Sequence, residues 1–416
     1  MKKIYFIGIF LAVVCLLPSL QTATSLPFSG SYLMRAQGAE AVYWNPASLN
    51  SNYKNFVIPV LNLTGGIFNN AFDLDTYNFF CSRDTLSEKD KARLLSKIDS
   101  NLRFKTDENI MLFGMTFGNL ALASGTHIAA HGRFDKDYLR IILYGNEETD
   151  YFFTKEDNQV EGLVYQDITL GAGNWNISPY FKLPVLPAIK VGASASILIG
   201  GAVAETDKFI GTLHSDFDGM QLKQDVYLRT GILGIGTKAL LGVKSEPLPN
   251  LSVGMSLDNI GGFIKWVGEN KMYHYNVESD SVFAADLEED FVTEVDSSWS
   301  IGNFTTKIPP ELRLGAYYSF RKINVSADYV QGFKASQVTS PIGYFCFGAE
   351  FLPLPVLPLQ IGYRPGNKDQ PWSFSYGIGI RVKPVNLGIG IQSISSIIPG
   401  YKTRGVNFAG NFSIHY

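Results

Sequence analysis

The run Trp372-Ser373-Phe374-Ser375-Tyr376-Gly377-Ile378-Gly379-Ile380-Arg381-Val382-Lys383 decides the architecture. Every second side chain is large and apolar (Trp372, Phe374, Tyr376, Ile378, Ile380, Val382), and those between are small or ionic (Ser373, Ser375, Gly377, Gly379, Arg381, Lys383). Successive side chains of an extended chain point opposite ways, so a period of two marks a strand with a different environment on each face. A soluble sandwich alternates as well, but it buries the large apolar set and meets water with many Lys and Glu. Here the polar face is mainly Gly, Ser and Asn, with scattered ionic residues (Glu311, Arg313, Asp328, Glu350, Arg364, Arg381, Lys383). That mixture suits a wet, crowded lumen with the apolar face turned to lipid. The expected fold class is all-β, a transmembrane antiparallel β-barrel.

Working outward, the next segment sets Val385, Leu387, Ile389 and Ile391 against Asn386, Gly388, Gly390 and Gln392, across the short Lys383-Pro384 turn. Upstream, Leu312, Leu314, Ala316, Tyr318 and Phe320 repeat the pattern, as do Ile323, Val325, Ala327 and Tyr329, and again Ile189, Val191, Ala193, Ala195, Ile197 and Ile199. Such segments have the length a tilted spanning strand requires, and counting them predicts roughly 14 strands. Pro-rich links at 183–188, 246–250 and 352–358 each precede a similar strand start, which predicts hairpins turning at one rim. The longer segments, 64–107, 145–160, 203–224 and 267–308, are read as loops at the other rim; in outer-membrane barrels short turns are periplasmic and long loops extracellular. Within the first, Thr85-Leu86-Ser87-Glu88 reads as a capping box before a helix over 89–98. Within the last, Asp286, Glu288, Glu289, Asp290, Glu294 and Asp296 form an acidic run whose spacing fits no EF-hand loop.

The chain ends by alternating Phe408, Gly410, Phe412, Ile414 and Tyr416 with Asn407, Ala409, Asn411, Ser413 and His415. This end resembles the terminal strand signal by which outer-membrane barrels are recognised for assembly, with Gly410, Phe412, Ile414 and Tyr416 at the matching positions. It implies the barrel-assembly machinery as a partner. Because lipid tolerates no open sheet edge, the last strand is expected to pair with the first.

Residues 1–25 read as a secretory signal: Lys2 and Lys3, an apolar segment from Ile4 to Leu17, then the small residues Ala23-Thr24-Ser25 before a mature start at Leu26. Removing the two lysines takes the basic count from 35 to 33 against 38 acids, about −5, which offers no basic surface for nucleic acid. Beyond the signal no stretch is long and apolar enough to span a membrane as a helix. Cys81 and Cys346 remain after cleavage, either paired or as two thiols. No nucleophile elbow, phosphate loop or zinc-binding helix appears, so neither an enzyme nor a metal or cofactor is expected. His127 and His131 stand four apart, about 13 Å along a strand and too far for one ion, and read as strand-end histidines.

The remaining signal lies near the start, in Met34-Arg35-Ala36-Gln37-Gly38-Ala39-Glu40-Ala41-Val42-Tyr43-Trp44-Asn45-Pro46-Ala47-Ser48-Leu49. Proline biases Asn45 towards an extended backbone, so a compact turn is expected after two aromatics. The run from Gly38 to Leu49 resembles the N-terminal signature of the FadL-like outer-membrane transport family (OMPP1/FadL/TodX-like), a group that also resembles the PorV-like barrels of secretion systems. The resemblance implies a bacterial outer-membrane barrel over 56–416 whose lumen is plugged by 26–55, and passage of a hydrophobic or amphipathic small molecule. It also implies a gate at Tyr43, Trp44, Asn45, Pro46 and Ala47, with Asn45 bonding strand groups where the wall opens and outer-membrane lipid receiving the ligand. The alternative it carries is a PorV-like barrel that binds a secretion-system protein, with the acidic loop 267–308 and the inserted helix at 85–98 as partner surfaces.

Overall fold

The computed structural model describes residues 22–50, 54–83, 85–145, 149–180, 188–216, 219–282, 292–368 and 370–415. Its strands in chain order begin with β1 (Lys54–Asn69), β2 (Asn101–Phe117), β3 (Leu120–Asp135), β4 (Tyr151–Thr154), β5 (Gln159–Asn176) and β6 (Ile189–Asp216). They continue with β7 (Gly219–Leu248), β8 (Leu251–Trp266), β9 (Asn270–Val282), β10 (Val292–Ser300), β11 (Phe304–Ile308) and β12 (Glu311–Phe320). The last six are β13 (Ile323–Gly332), β14 (Tyr344–Leu354), β15 (Leu357–Arg364), β16 (Ser373–Val382), β17 (Val385–Ile394) and β18 (Gly405–His415). The helices are α1 (Ala41–Trp44), α2 (Leu74–Cys81), α3 (Glu88–Ser96) and α4 (Lys136–Tyr144).

All strands join one antiparallel sheet, and β18 pairs with β1 from Phe68↔Gly405 to Val57↔His415, which closes it. Three strands lie outside the ring: β4 on the upper part of β6, and β9 with β10 on the upper part of β7. β11 continues β12 along β8 across Pro309-Pro310, where proline cannot donate to a ladder. The wall is therefore a ring of about 14 antiparallel strands, the number that the alternation together with the FadL-like resemblance implies.

The faces fall as the quoted stretch requires. Ile389 is 60% exposed and Phe408 57%, whereas Ser375 and Gln392, on the opposite faces, are fully buried. Apolar side chains cover the outside of the barrel and hydrogen-bonding ones its inside, the arrangement of a membrane barrel with a polar lumen. The tight turns Gly118-Asn119, Pro249-Asn250, Arg321-Lys322, Pro355-Val356 and Lys383-Pro384 share one rim, by the usual asymmetry the periplasmic one.

Several expectations are corrected. Among the described residues, 203–216, 219–224 and most of 267–308 are strand rather than loop: β6 and β7 run on as a long hairpin, and β9 and β10 form a second one beside it. Side chains still alternate above the membrane, but with water on both faces their period no longer carries an apolar stripe. Of the acidic run only Glu294 and Asp296, in β10, belong to the described residues. The capping box is formed by Ser87 and Asp90, two residues after the expected start, because Ser87 has an acceptor three residues ahead with its backbone already turned to meet it. Both cysteines are free, Cys81 exposed and Cys346 buried on the lumen side. Residues 1–21, most of the expected signal segment, and the link 181–187 lie outside the described residues.

Candidate functional site

Residues 26–50 fill the lumen as short turns separated by tight bends, and most of their side chains are buried. Such a segment has few ladder bonds of its own, so wall and plug must satisfy its backbone together. Asp328 on β13 accepts from Tyr32 N at 2.7 Å and Leu33 N at 2.8 Å. Ser194 on β6 donates to Val42 O at 2.7 Å. Arg313 on β12 donates to Tyr43 O at 3.2 Å, and its guanidinium lies 5.0 Å from the centre of the Trp44 ring.

The Asn-Pro-Ala turn is held most closely. Asn45 has an extended backbone, its Oδ1 accepts from Ala47 N at 3.1 Å, and it caps the short helical turn Pro46–Ser48. Its Nδ2 donates to Val243 O of β7 at 3.0 Å. The turn seats on bare wall: a Cβ built on Gly173 would stand 2.0 Å from Pro46 O, one on Gly192 2.5 Å from Pro46 C, and one on Gly242 2.1 Å from Asn45 Oδ1. Glycines on three adjacent strands thus let the plug's backbone touch the wall's. The helical turn Leu26–Phe28 has a second seat near the far side of the ring, where Cβ atoms on Gly362 and Gly377 would meet Phe28 and Pro27 at 2.4 and 2.6 Å.

Two cavities flank the plug. The inner one, about 700 Å³, opens towards the short-turn rim and reaches Asn62, Met111 and Glu40. The outer one, about 120 Å³, is lined by Tyr43, Trp44, His127, Tyr165, Lys238 and Arg313 among others, and it too reaches Met111 and Glu40. Above it Leu198, Ile264, Trp266 and Ile308 form an apolar cluster in the lumen, and Val338 of the β13–β14 loop packs against it. In the plug, burial raises the Glu40 carboxyl above its ordinary range, its closest donors including Tyr32 Oη at 2.9 Å.

The wall beside Met111 is irregular. β1 pairs with β2 at Lys54–Val57 and again at Phe68 and Asn69, and the ladder is interrupted between, from Ile58 to Ile67 of β1 against residues 106–113 of β2. Leu112 is a bulge in the pairing of β2 with β3 and points outwards, as does Leu63 across the seam. The plug's Ala39 meets this seam from inside, since a Cβ on Gly114 would stand 2.5 Å from Ala39 Cβ.

Of the residues singled out in the sequence, Tyr43 and Trp44 line the outer cavity and Asn45, Pro46 and Ala47 rest against β5–β7. Asn45 therefore bonds a wall strand away from the β1–β2 seam. Gly410, Phe412 and Ile414 share the outward face of β18, and Tyr416 lies outside the described residues. His127 corrects its reading as a strand-end residue. It sits mid-strand in β3, its Nδ1 meets Asn109 Oδ1, and its ring stacks on Tyr165 at 4.6 Å. Nearby, Asp167 accepts from Tyr43 Oη at 3.0 Å and from Gly125 N at 2.7 Å. Asp167, Lys238 and Met111 went unread because each is one polar or flexible residue in a strand whose periodicity said only which face it occupies.

The fold and the plugged lumen define a class, that of outer-membrane β-barrels closed from within by their N-terminal segment. No protein-family model matches the chain, and no curated protein is significantly similar to it. Among solved structures it is similar to the Ralstonia pickettii toluene transporter TbuX (15% identity, TM-score 0.50, covering 94% of this chain and 98% of that one). It is likewise similar to the P. putida toluene transporter TodX (11% identity, TM-score 0.52, covering 94% and 97%). At these identities the likeness is one of fold, and the fold is the one that the FadL-like resemblance of the Asn-Pro-Ala segment implies.

Proposed function

We propose that this barrel passes hydrophobic or amphipathic small molecules across the outer membrane, taking them from the outside into the outer cavity and releasing them sideways at the β1–β2 seam. The observation that carries this reading is Met111, which lines both cavities and lies on the stretch of β2 where the ladder to β1 is interrupted. In lipid an interrupted ladder is costly unless something else meets the backbone groups, so a wall keeps one only where it serves a purpose. The toluene transporters that share the fold agree with a small, largely hydrophobic cargo. In this scheme Tyr43 and Trp44 form the plug's wall of the outer cavity, Asn45, Pro46 and Ala47 are its fixed point, and Ala39 with Glu40 is the part that yields at the seam. No observation favours the rival protein-binding reading.

Met111→Cys in a Cys81→Ser background tests the route. A bulky methanethiosulfonate reagent attached to the introduced thiol is expected to abolish saturable uptake, and dithiothreitol to restore it. Full labelling with unchanged uptake would sink the seam as the exit. The same reading assigns Gly410, Phe412, Ile414 and Tyr416 to assembly; deleting Tyr416 is expected to lower the amount of folded, heat-modifiable barrel in the outer membrane, and normal levels would remove that assignment.

A further inference from the structure

We propose that the outer cavity binds a neutral, single-ring aromatic molecule bearing a hydroxyl, a phenol-class ligand, in preference to a bare hydrocarbon or an aromatic acid. This deepens the transport reading and rests on it. Size is consistent with a single ring: apolar cavities of roughly 150 Å³ take up benzene, and this one, which is only partly enclosed, is about 120 Å³. Shape points the same way. His127 stacks on Tyr165 at 18° while Tyr43 meets His127 edge-on at 74°, and Trp44 adds a fourth ring to the lining, so the cavity offers aromatic edges and faces to one ring.

Polarity argues against a hydrocarbon. His127 Nε2 is buried and makes no hydrogen bond of ordinary length; Asp167 Oδ2 stands 3.6 Å away, within reach of an ion pair when the imidazole is protonated. Lys238 Nζ lies 3.2 Å from Asn259 Oδ1 and 3.5 Å from Asp258 Oδ1 at the same wall. A bare ring would displace water from these groups and return nothing, and a site with buried polar groups discriminates against the analogue that cannot bond them.

Charge argues against an acid. Arg313 already faces Glu311 at 2.7 Å and Asp258 at 3.6 Å, and Lys238 shares Asp258. An aromatic carboxylate would find its cations engaged and the carboxylates of Glu311 and Asp258 close by. A neutral hydroxyl, donor and acceptor at once, meets both the imidazole nitrogen and the polar wall.

Equilibrium dialysis of the purified full-length barrel in detergent against phenol, toluene and benzoate tests this, with uptake of the same compounds measured in parallel. Phenol is expected to bind about tenfold or more tightly than either competitor. His127→Phe keeps the ring but removes its nitrogens, and should weaken phenol about tenfold while sparing toluene. Tyr43→Phe, a change in the plug, removes the hydroxyl that donates to Asp167 Oδ1 and leaves that acceptor free beside the cavity, so it should alter phenol binding while sparing toluene. Toluene or benzoate binding as tightly as phenol, or phenol binding unmoved by both variants, would overturn the ligand class. If uptake remains saturable in that case, the transport reading survives; absence of saturable uptake for all three compounds would sink both.

Discussion

Replacing Gly173 with valine (Gly173→Val) is expected to make the barrel leak small sugars that the native protein excludes. A Cβ there would stand 2.0 Å from Pro46 O and 2.6 Å from Pro46 C, backbone atoms that no side-chain rotation can move aside. Overpacking of this kind costs about 1–3 kcal/mol, comparable with the few hydrogen bonds that hold the turn, so the plug gives way. On the wall side the same Cβ meets Gly192 Cα at 3.1 Å, so β6 must give by a few tenths of an ångström, far less than the displacement forced on Pro46. Because the turn Leu26–Phe28 keeps its own seat against β15 and β16, the plug is expected to swing rather than leave. Swelling of vesicles containing the purified variant, measured with a pentose, gives the readout. A folded variant that is as tight as the native barrel would mean that the glycine seat does not hold the plug.

The second large effect comes from the other side of the same contact. Asn45→Ala with Pro46→Ala removes the bond to Val243 O and the cap on Ala47 N, and frees the backbone that proline fixes. Two buried hydrogen bonds contribute about 1–3 kcal/mol together, so a loss of uptake of about tenfold follows if the docked plug is the working state. The barrel itself should be untouched, because none of its ladder bonds involves either residue, and its mobility on unheated gels reports this. Hydrophobic compound extracted by solvent from the native protein should be missing from the double variant. Uptake equal to the native value would remove Asn45 and Pro46 from the gate. Together the two variants separate sealing from passage: one forces the wall against the plug, the other loosens the plug against an intact wall.

The sequence alone determined the barrel. Alternation in β16, β17 and β18 fixes which side chains meet lipid, since a period of two leaves no freedom once one face is apolar, and Ile389 and Gln392 fall on the sides expected. It also marked residues 34–49 as the distinctive segment, because an Asn-Pro turn after two aromatics has no place in a spanning strand. It misjudged where strands end above the membrane, as in β6 and β7, for there the signal is the contrast between two environments and water surrounds both faces. The tertiary structure decided what the lumen does. That Gly173, Gly192 and Gly242 form one seat depends on the relative register of β5, β6 and β7, which glycine composition cannot state. The break between β1 and β2 is a property of a pair, set by Val57↔Gly114 and Phe68↔Lys105 with unequal stretches between them, so neither strand carries it alone. Likewise His127, Asp167 and Tyr43 come from two wall strands and the plug, and become one cluster only when the plug is seated. Faces are written in neighbouring residues; cavities and seams are written in register, which only the closed ring fixes.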